Sequence, residues 1–163
     1  MKSVIIIRHA KSSWDNMGVE DFDRPLNERG KEDAPKMAQR LLERNVSIDA
    51  FISSSAKRAR KTASIFIKEF GGQKEDIILV PQLYLAGPEI FYETIAQAPA
   101  SAKTIALFAH NPGITDFANE LTNVRIDDMP TCAIFAVKAD INAWTGFKDA
   151  AKQYWFFDFP KAK

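Results

Sequence analysis

Val4-Ile5-Ile6-Ile7-Arg8-His9 and Thr104-Ile105-Ala106-Leu107-Phe108-Ala109-His110 are two strand-like apolar runs, and each ends on a histidine. Residues 2–8 alternate little and are rich in β-branched side chains, as a strand buried on both faces should be. If both runs are parallel strands of one sheet, their carboxyl ends share one rim. That rim is where open α/β folds keep their ligand sites. The chain has only two histidines, so this arrangement would turn both toward one crevice, with Arg8 beside the first.

Outward from these runs, the pattern alternates strands with helices. A polar stretch from Lys11 to Pro25 is long enough to be a functional loop. Asn27 is a good N-cap for a helix reaching about Asn45, with Leu26, Met37, Ala38, Leu41 and Leu42 as its apolar stripe. Pro35 inside that span predicts a bend or a later start. Residues 49–53 read as a second strand, and 56–70 as a second helix stopped by Gly71-Gly72. Ile77 to Val80 is a third strand, stopped by Pro81. Pro88 suits the first turn of a helix reaching about Gln97. Lys103 to Ala109 is the fourth strand, Gly113 to Leu121 a helix, and Thr131 to Val137 a fifth strand. Tyr154 to Phe159 is a sixth, at an edge before Pro160. These elements predict an α/β, three-layer sandwich: a mostly parallel sheet of about six strands with helices on both faces. The last two strands would add an antiparallel edge. With no repeat, low-complexity segment or linker, residues 1–163 read as one domain.

Charge is balanced, 22 Lys+Arg against 21 Asp+Glu, which argues against nucleic acid or an anionic membrane as partner. The single Cys132 cannot form an intrachain disulfide, which suits a reducing, cytoplasmic setting. The apolar run near the N-terminus is too short for a signal-peptide core, and no stretch approaches the roughly 20 apolar residues of a membrane span.

A third chemistry-bearing segment is Ser53-Ser54-Ser55-Ala56-Lys57-Arg58-Ala59-Arg60-Lys61-Thr62. Its cations fall in the first turns of a helix, where the dipole disfavours them. They suit an anion there, held jointly by free N–H groups and guanidinium. At about 100° per residue only one or two of them can face a common ligand; the others form a solvated face. Histidines with arginines and no carboxylate cluster suggest phosphoryl transfer, which depends on positioning and charge stabilisation. A neutral imidazole can attack phosphorus, and neighbouring cations keep it neutral. Other phosphate chemistries lack support. Cys132 has Lys138 where a cysteine phosphatase needs arginine, no apolar strand precedes Asp21-Phe22-Asp23, and no Walker loop or Gly-x-Gly-x-x-Gly occurs. A metal held by His9 and His110 would be repelled by Arg8, so no metal or other cofactor is expected.

These residues resemble the histidine phosphatase superfamily, with its phosphoglycerate mutase-like fold, and specifically its small bacterial phosphohistidine phosphatase, SixA-like branch. The matching stretches are residues 6–14, 23–30, 53–63, 110–113 and 129–133; each is weak alone, but five in order are specific. The signature stands here as Arg8-His9-Ala10, with alanine in place of the usual glycine. The resemblance implies that His9 is the phosphorylated nucleophile, Arg8 and Arg58 the phosphate clamps, and His110 the second catalytic histidine. Arg24 would reach the phosphate too, and Ser12 would either donate to it or order the loop after His9. One departure stands out. Many members carry a carboxylate general acid in a Leu-x-Glu pattern, where this chain has Leu83-Tyr84-Leu85. A poor leaving group needs that proton; an imidazole needs far less help. Unless Glu89 substitutes, the expected activity is a metal-independent, monomeric phosphatase acting on phosphohistidine, or another labile phosphoryl group, carried by a partner protein. A small-molecule phosphomonoester phosphatase and a non-catalytic phospho-ligand binding module are the alternatives.

Overall fold

The computed structural model describes residues 1–15 and 18–162. Its centre is a six-stranded sheet in the order β3-β2-β4-β1-β5-β6. The strands are β1 (Lys2–Arg8), β2 (Ala50–Ser53), β3 (Ile78–Leu79), β4 (Thr104–Ala109), β5 (Ile134–Ala139) and β6 (Lys152–Asp158). The first four pair in parallel. β5 runs antiparallel to β1, and β6 antiparallel to β5, so the expected antiparallel edge is present.

Why β1 reads as continuously apolar is now plain. Val4 and Ile6 face a core containing Phe91, Ile95, Phe117 and Leu121 from α3 (Pro88–Ala96) and α4 (Gly113–Leu121). Ile5 and Ile7 face the other core, with Met37, Leu41, Phe66 and Ile67 from α1 (Glu28–Glu43) and α2 (Lys57–Glu69). All four β1 side chains are fully buried, at roughly 1.5–3 kcal/mol of apolar burial each.

Asn27 caps α1 as expected, its Oδ1 accepting from Gly30 N at 2.9 Å. The helix begins at Glu28 and runs on through Pro35, so the later start that Pro35 suggested does not occur. Gly30 is needed for close approach: a Cβ there would lie 2.2 Å from the Lys11 carbonyl oxygen. That contact ties the start of α1 to the chain leaving His9. Gly71, at φ 85°, ends α2, and Gly72 N–H returns to Ile67 O.

Three strand boundaries differ from the expectation. β3 is reduced to two exposed residues at one edge of the sheet. β6 begins earlier, at Lys152, and carries an irregularity opposite Ala136/Val137. β5 starts at Ile134 rather than Thr131, because Cys132 turns to φ 62° and its N–H donates to the carbonyls of Arg8 and His9. Residues 16 and 17 of the expected loop lie outside the described residues. Among the described residues, no helix is long and apolar enough to cross a membrane.

Candidate active site

The β1–β4 ladder pairs Arg8 with Ala109, and His9 N–H extends it by donating to Ala109 O at 3.1 Å. The next residue on each strand is a histidine. Their rings consequently lie with centroids 5.2 Å apart. β2 lies on the other side of β4, so the turn after Ser53 delivers the start of α2 to the same rim.

Of the four cations at that helix start, only Arg58 is buried; Lys57, Arg60 and Lys61 are exposed, forming the solvated face. Arg58 Nε donates to His9 Nε2 at 3.2 Å. On the opposite edge of the imidazole, Nδ1 lies 2.7 Å from Ala10 O. A carbonyl can only accept, so the ring carries its proton on Nδ1 and keeps a lone pair on Nε2. Ala10 itself is fully buried, and its N–H donates to Thr62 Oγ1 at 2.9 Å.

His110 is held through Ser54, whose hydroxyl lies 2.8 Å from Nε2 and already accepts from Ala56 N. A hydroxyl can both donate and accept, so this contact suits a His110 protonated on either ring nitrogen. Among the described residues, two buried side-chain polar atoms have no partner, His110 Nδ1 and Arg8 Nε. Both belong to this site, whereas the other buried side-chain polar atoms of the described residues have partners. The rest of Arg8 is anchored, Nη1 donating to Met129 O at 2.9 Å.

Burial is the main reason both imidazoles resist protonation. It pushes His9 down to about 3, against a pull from the Ala10 carbonyl and with help from His110, Arg58 and Arg8. His110 also falls to about 3, through burial and then Arg58. Unfolded histidines protonate near 6.5 and the folded ones do not, so protons favour the unfolded chain. The histidines' contribution to stability is complete above pH 6.5 and is lost as pH falls toward 3. With two histidines in the chain, ring-proton NMR can follow each one. Both should keep neutral-form shifts at pH 5, and a midpoint near 6.5 for either would contradict this electrostatic picture.

Two residues that sequence reasoning passed over complete the site. Asp21 opens a 3₁₀ turn (Asp21–Asp23), and its carboxylate accepts from Arg58 Nη2 at 3.0 Å, Arg24 Nη1 at 3.1 Å and the Tyr84 hydroxyl at 2.5 Å. Burial opposes its ionisation, but these three donors prevail and hold it at about 2. The Tyr84 ring meets His110 edge-on, centroids 5.4 Å apart. Arg24 and Ser12 reach the same cavity, yet they are occupied with each other. Arg24 Nη2 donates to Ser12 Oγ at 2.5 Å, and its Nε to Ser13 O at 3.0 Å. Ser12 also bridges to Leu26. These contacts order the loop, and Ser12, which accepts in the Arg24 bond, keeps its hydroxyl proton to donate. Glu89 stands apart, ion-paired to Lys148 at 3.0 Å with a largely exposed side chain.

Arg8, His9, Ser12, Arg24, Arg58 and His110 thus line one cavity of about 510 Å³, with Asp21 its one carboxylate among the described residues. An imidazole lone pair beside two guanidinium groups can attack an electrophilic centre that carries negative oxygens.

Known proteins resemble this chain in sequence and in fold. Residues 4–84 match the histidine phosphatase superfamily (branch 1). An uncharacterized chloroplastic protein of Arabidopsis thaliana is 30% identical over 151 residues, covering 88% of this chain and 69% of that one. The crystal structure of SixA from Agrobacterium tumefaciens, assigned as a phosphohistidine phosphatase, superposes with a TM-score of 0.81. It is 25% identical, over 98% of each chain. The protein histidine phosphatase SixA complexed with tungstate gives a TM-score of 0.74 at 21% identity, over 97% of each chain.

Proposed function

The chain belongs to the histidine phosphatase superfamily, in its SixA-like branch, and on that footing we propose that it dephosphorylates phosphohistidine on a partner protein through a phospho-His9 intermediate. The observation that carries this reading is the state of His9. Its Nδ1–H is pinned to Ala10 O, and its Nε2 keeps a lone pair at the cavity, where it accepts from Arg58 until phosphate displaces that contact.

In the first half-reaction, His9 Nε2 forms a bond to phosphorus as the substrate's P–N bond breaks in line with it. Arg8 and Arg58 stabilise the equatorial oxygens, and His110, protonated on Nδ1, donates to a phosphoryl oxygen, the partner that this nitrogen otherwise lacks. Incoming phosphate takes the place of the Arg58 contact on His9 Nε2. The substrate ring, protonated on its other nitrogen, takes the P–N electron pair and departs as neutral imidazole. In the second half-reaction, water attacks the phosphoryl group, His9 Nε2 leaves, and phosphate is released. Neither half requires a metal or another cofactor.

The available proton donors support this substrate class. Asp21, the cavity's carboxylate, is ionised far below neutral pH, and Glu89 is turned to Lys148. Neither can protonate an alkoxide leaving group at neutral pH. A phosphohistidine imidazole leaves without such help. A substrate panel tests this: phosphohistidine protein should turn over far faster than sugar phosphates, and Glu89→Gln should leave turnover unchanged. Faster sugar-ester hydrolysis that Glu89→Gln abolishes would overturn the substrate assignment.

A further inference from the structure

Two exposed apolar side chains stand on the wall of the catalytic cavity, and the chemistry at phosphorus uses neither. Trp14 is 77% exposed and Leu85 58% exposed, and both line the cavity around His9. Single exposed apolar residues are ordinary on a protein surface. Two on one otherwise polar cavity are concentrated where a ligand enters.

Each is also held in place. The Arg24 guanidinium lies 3.3 Å from the centroid of the Trp14 ring, a cation–π contact. Arg24 is itself fixed by Ser12, the Ser13 carbonyl and Asp21. The indole is therefore braced by a rigid partner and still open to solvent. Leu85 sits at φ 53°, a conformation unfavourable for a residue with a Cβ and easy for glycine or asparagine. Its neighbours enforce it. Leu83 is fully buried, Ala86 N–H donates back to Leu83 O, and the Ala86 carbonyl packs where a Cβ on Gly113 would stand. The strained turn presents an isobutyl group at the cavity instead of burying it. Strain of this kind gathers at functional sites.

In-line attack by His9 places the leaving group on the side of phosphorus away from that ring. A hydroxyl-rich sugar gains little from indole and isobutyl surfaces. A planar imidazole and the polypeptide bearing it gain apolar contact from both. We infer that Trp14 and Leu85 are specificity residues that grip the imidazole-bearing segment of a phosphohistidine protein, an inference that rests on the substrate reading above.

The test compares kcat/KM for a phosphohistidine-bearing protein with kcat/KM for phosphoramidate, which has the labile P–N bond without a polypeptide. Trp14→Ala and Leu85→Asn, the latter compatible with the positive φ, should each lower the protein-to-phosphoramidate ratio by roughly tenfold, chiefly through KM on the protein. Trp14→Phe, which keeps an aromatic face, should recover most of that loss. A ratio that stays at its wild-type value in both Trp14→Ala and Leu85→Asn overturns the inference. Failure of the underlying reading looks different: wild-type enzyme would take phosphate from phosphoramidate onto His9 yet leave phosphohistidine protein intact.

Discussion

Replacing His9 with alanine should remove turnover and covalent labelling together. In the proposed mechanism the imidazole forms the bond to phosphorus, and an alanine would offer no covalent route. The remaining donors, Arg8, Arg58 and His110, would still bind the phosphoryl group, so affinity for phosphate should outlast catalysis. That split separates loss of a nucleophile from collapse of the site. Folding should tolerate the change, because the backbone bond from His9 N–H to Ala109 O is untouched. Assays of steady-state hydrolysis and of phosphate incorporation into the intact protein check the prediction. Near-wild-type turnover in His9→Ala would remove the residue from the mechanism.

Arg58→Ala should reduce the rate by about 10²–10³, the range for losing one preorganised transition-state donor, equivalent to about 2.7–4 kcal/mol. Three functions are lost at once. The guanidinium donates to His9 Nε2, helps keep both imidazoles neutral, and pairs with Asp21 through its carboxylate and its backbone carbonyl. Arg58→Lys keeps the charge but not the fork, and should recover only part of the loss. Single-turnover kinetics on both variants would read this. A rate within a few-fold of wild type for Arg58→Ala would contradict the assignment.

Much of the site was legible in the sequence because the fold converts strand ends into neighbours. The apolar runs before His9 and His110 are recognisable locally, and parallel pairing of their strands places both rings on one rim. Arg58 was legible as a member of a misplaced basic cluster, although four cations share that helix start. Burial singles it out, and burial is a tertiary property. Asp21 and Tyr84 carried no comparable signal. Asp21 sits in a polar loop with no strand before it, and its role arises only where the loop crosses Arg58. Tyr84 occupies the centre of Leu83-Tyr84-Leu85, read chiefly as the place where a carboxylate was missing. The start of β5 was misplaced for a related reason. Cys132 adopts a left-handed conformation to bond the carbonyls of Arg8 and His9, and nothing in its neighbours announces such a turn. Pro35 warned of an interruption that α1 does not show at its start, since the Asn27 cap and the buried stripe outweigh the lost hydrogen bond.

The most direct test of the account is the mass of the His9 peptide after wild-type enzyme is mixed with phosphoramidate and quenched briefly without acid. The account predicts one added phosphate on that peptide, labile to acid and absent in His9→Ala. A phosphate found instead on the His110 peptide, or none on any peptide while hydrolysis proceeds, would contradict it.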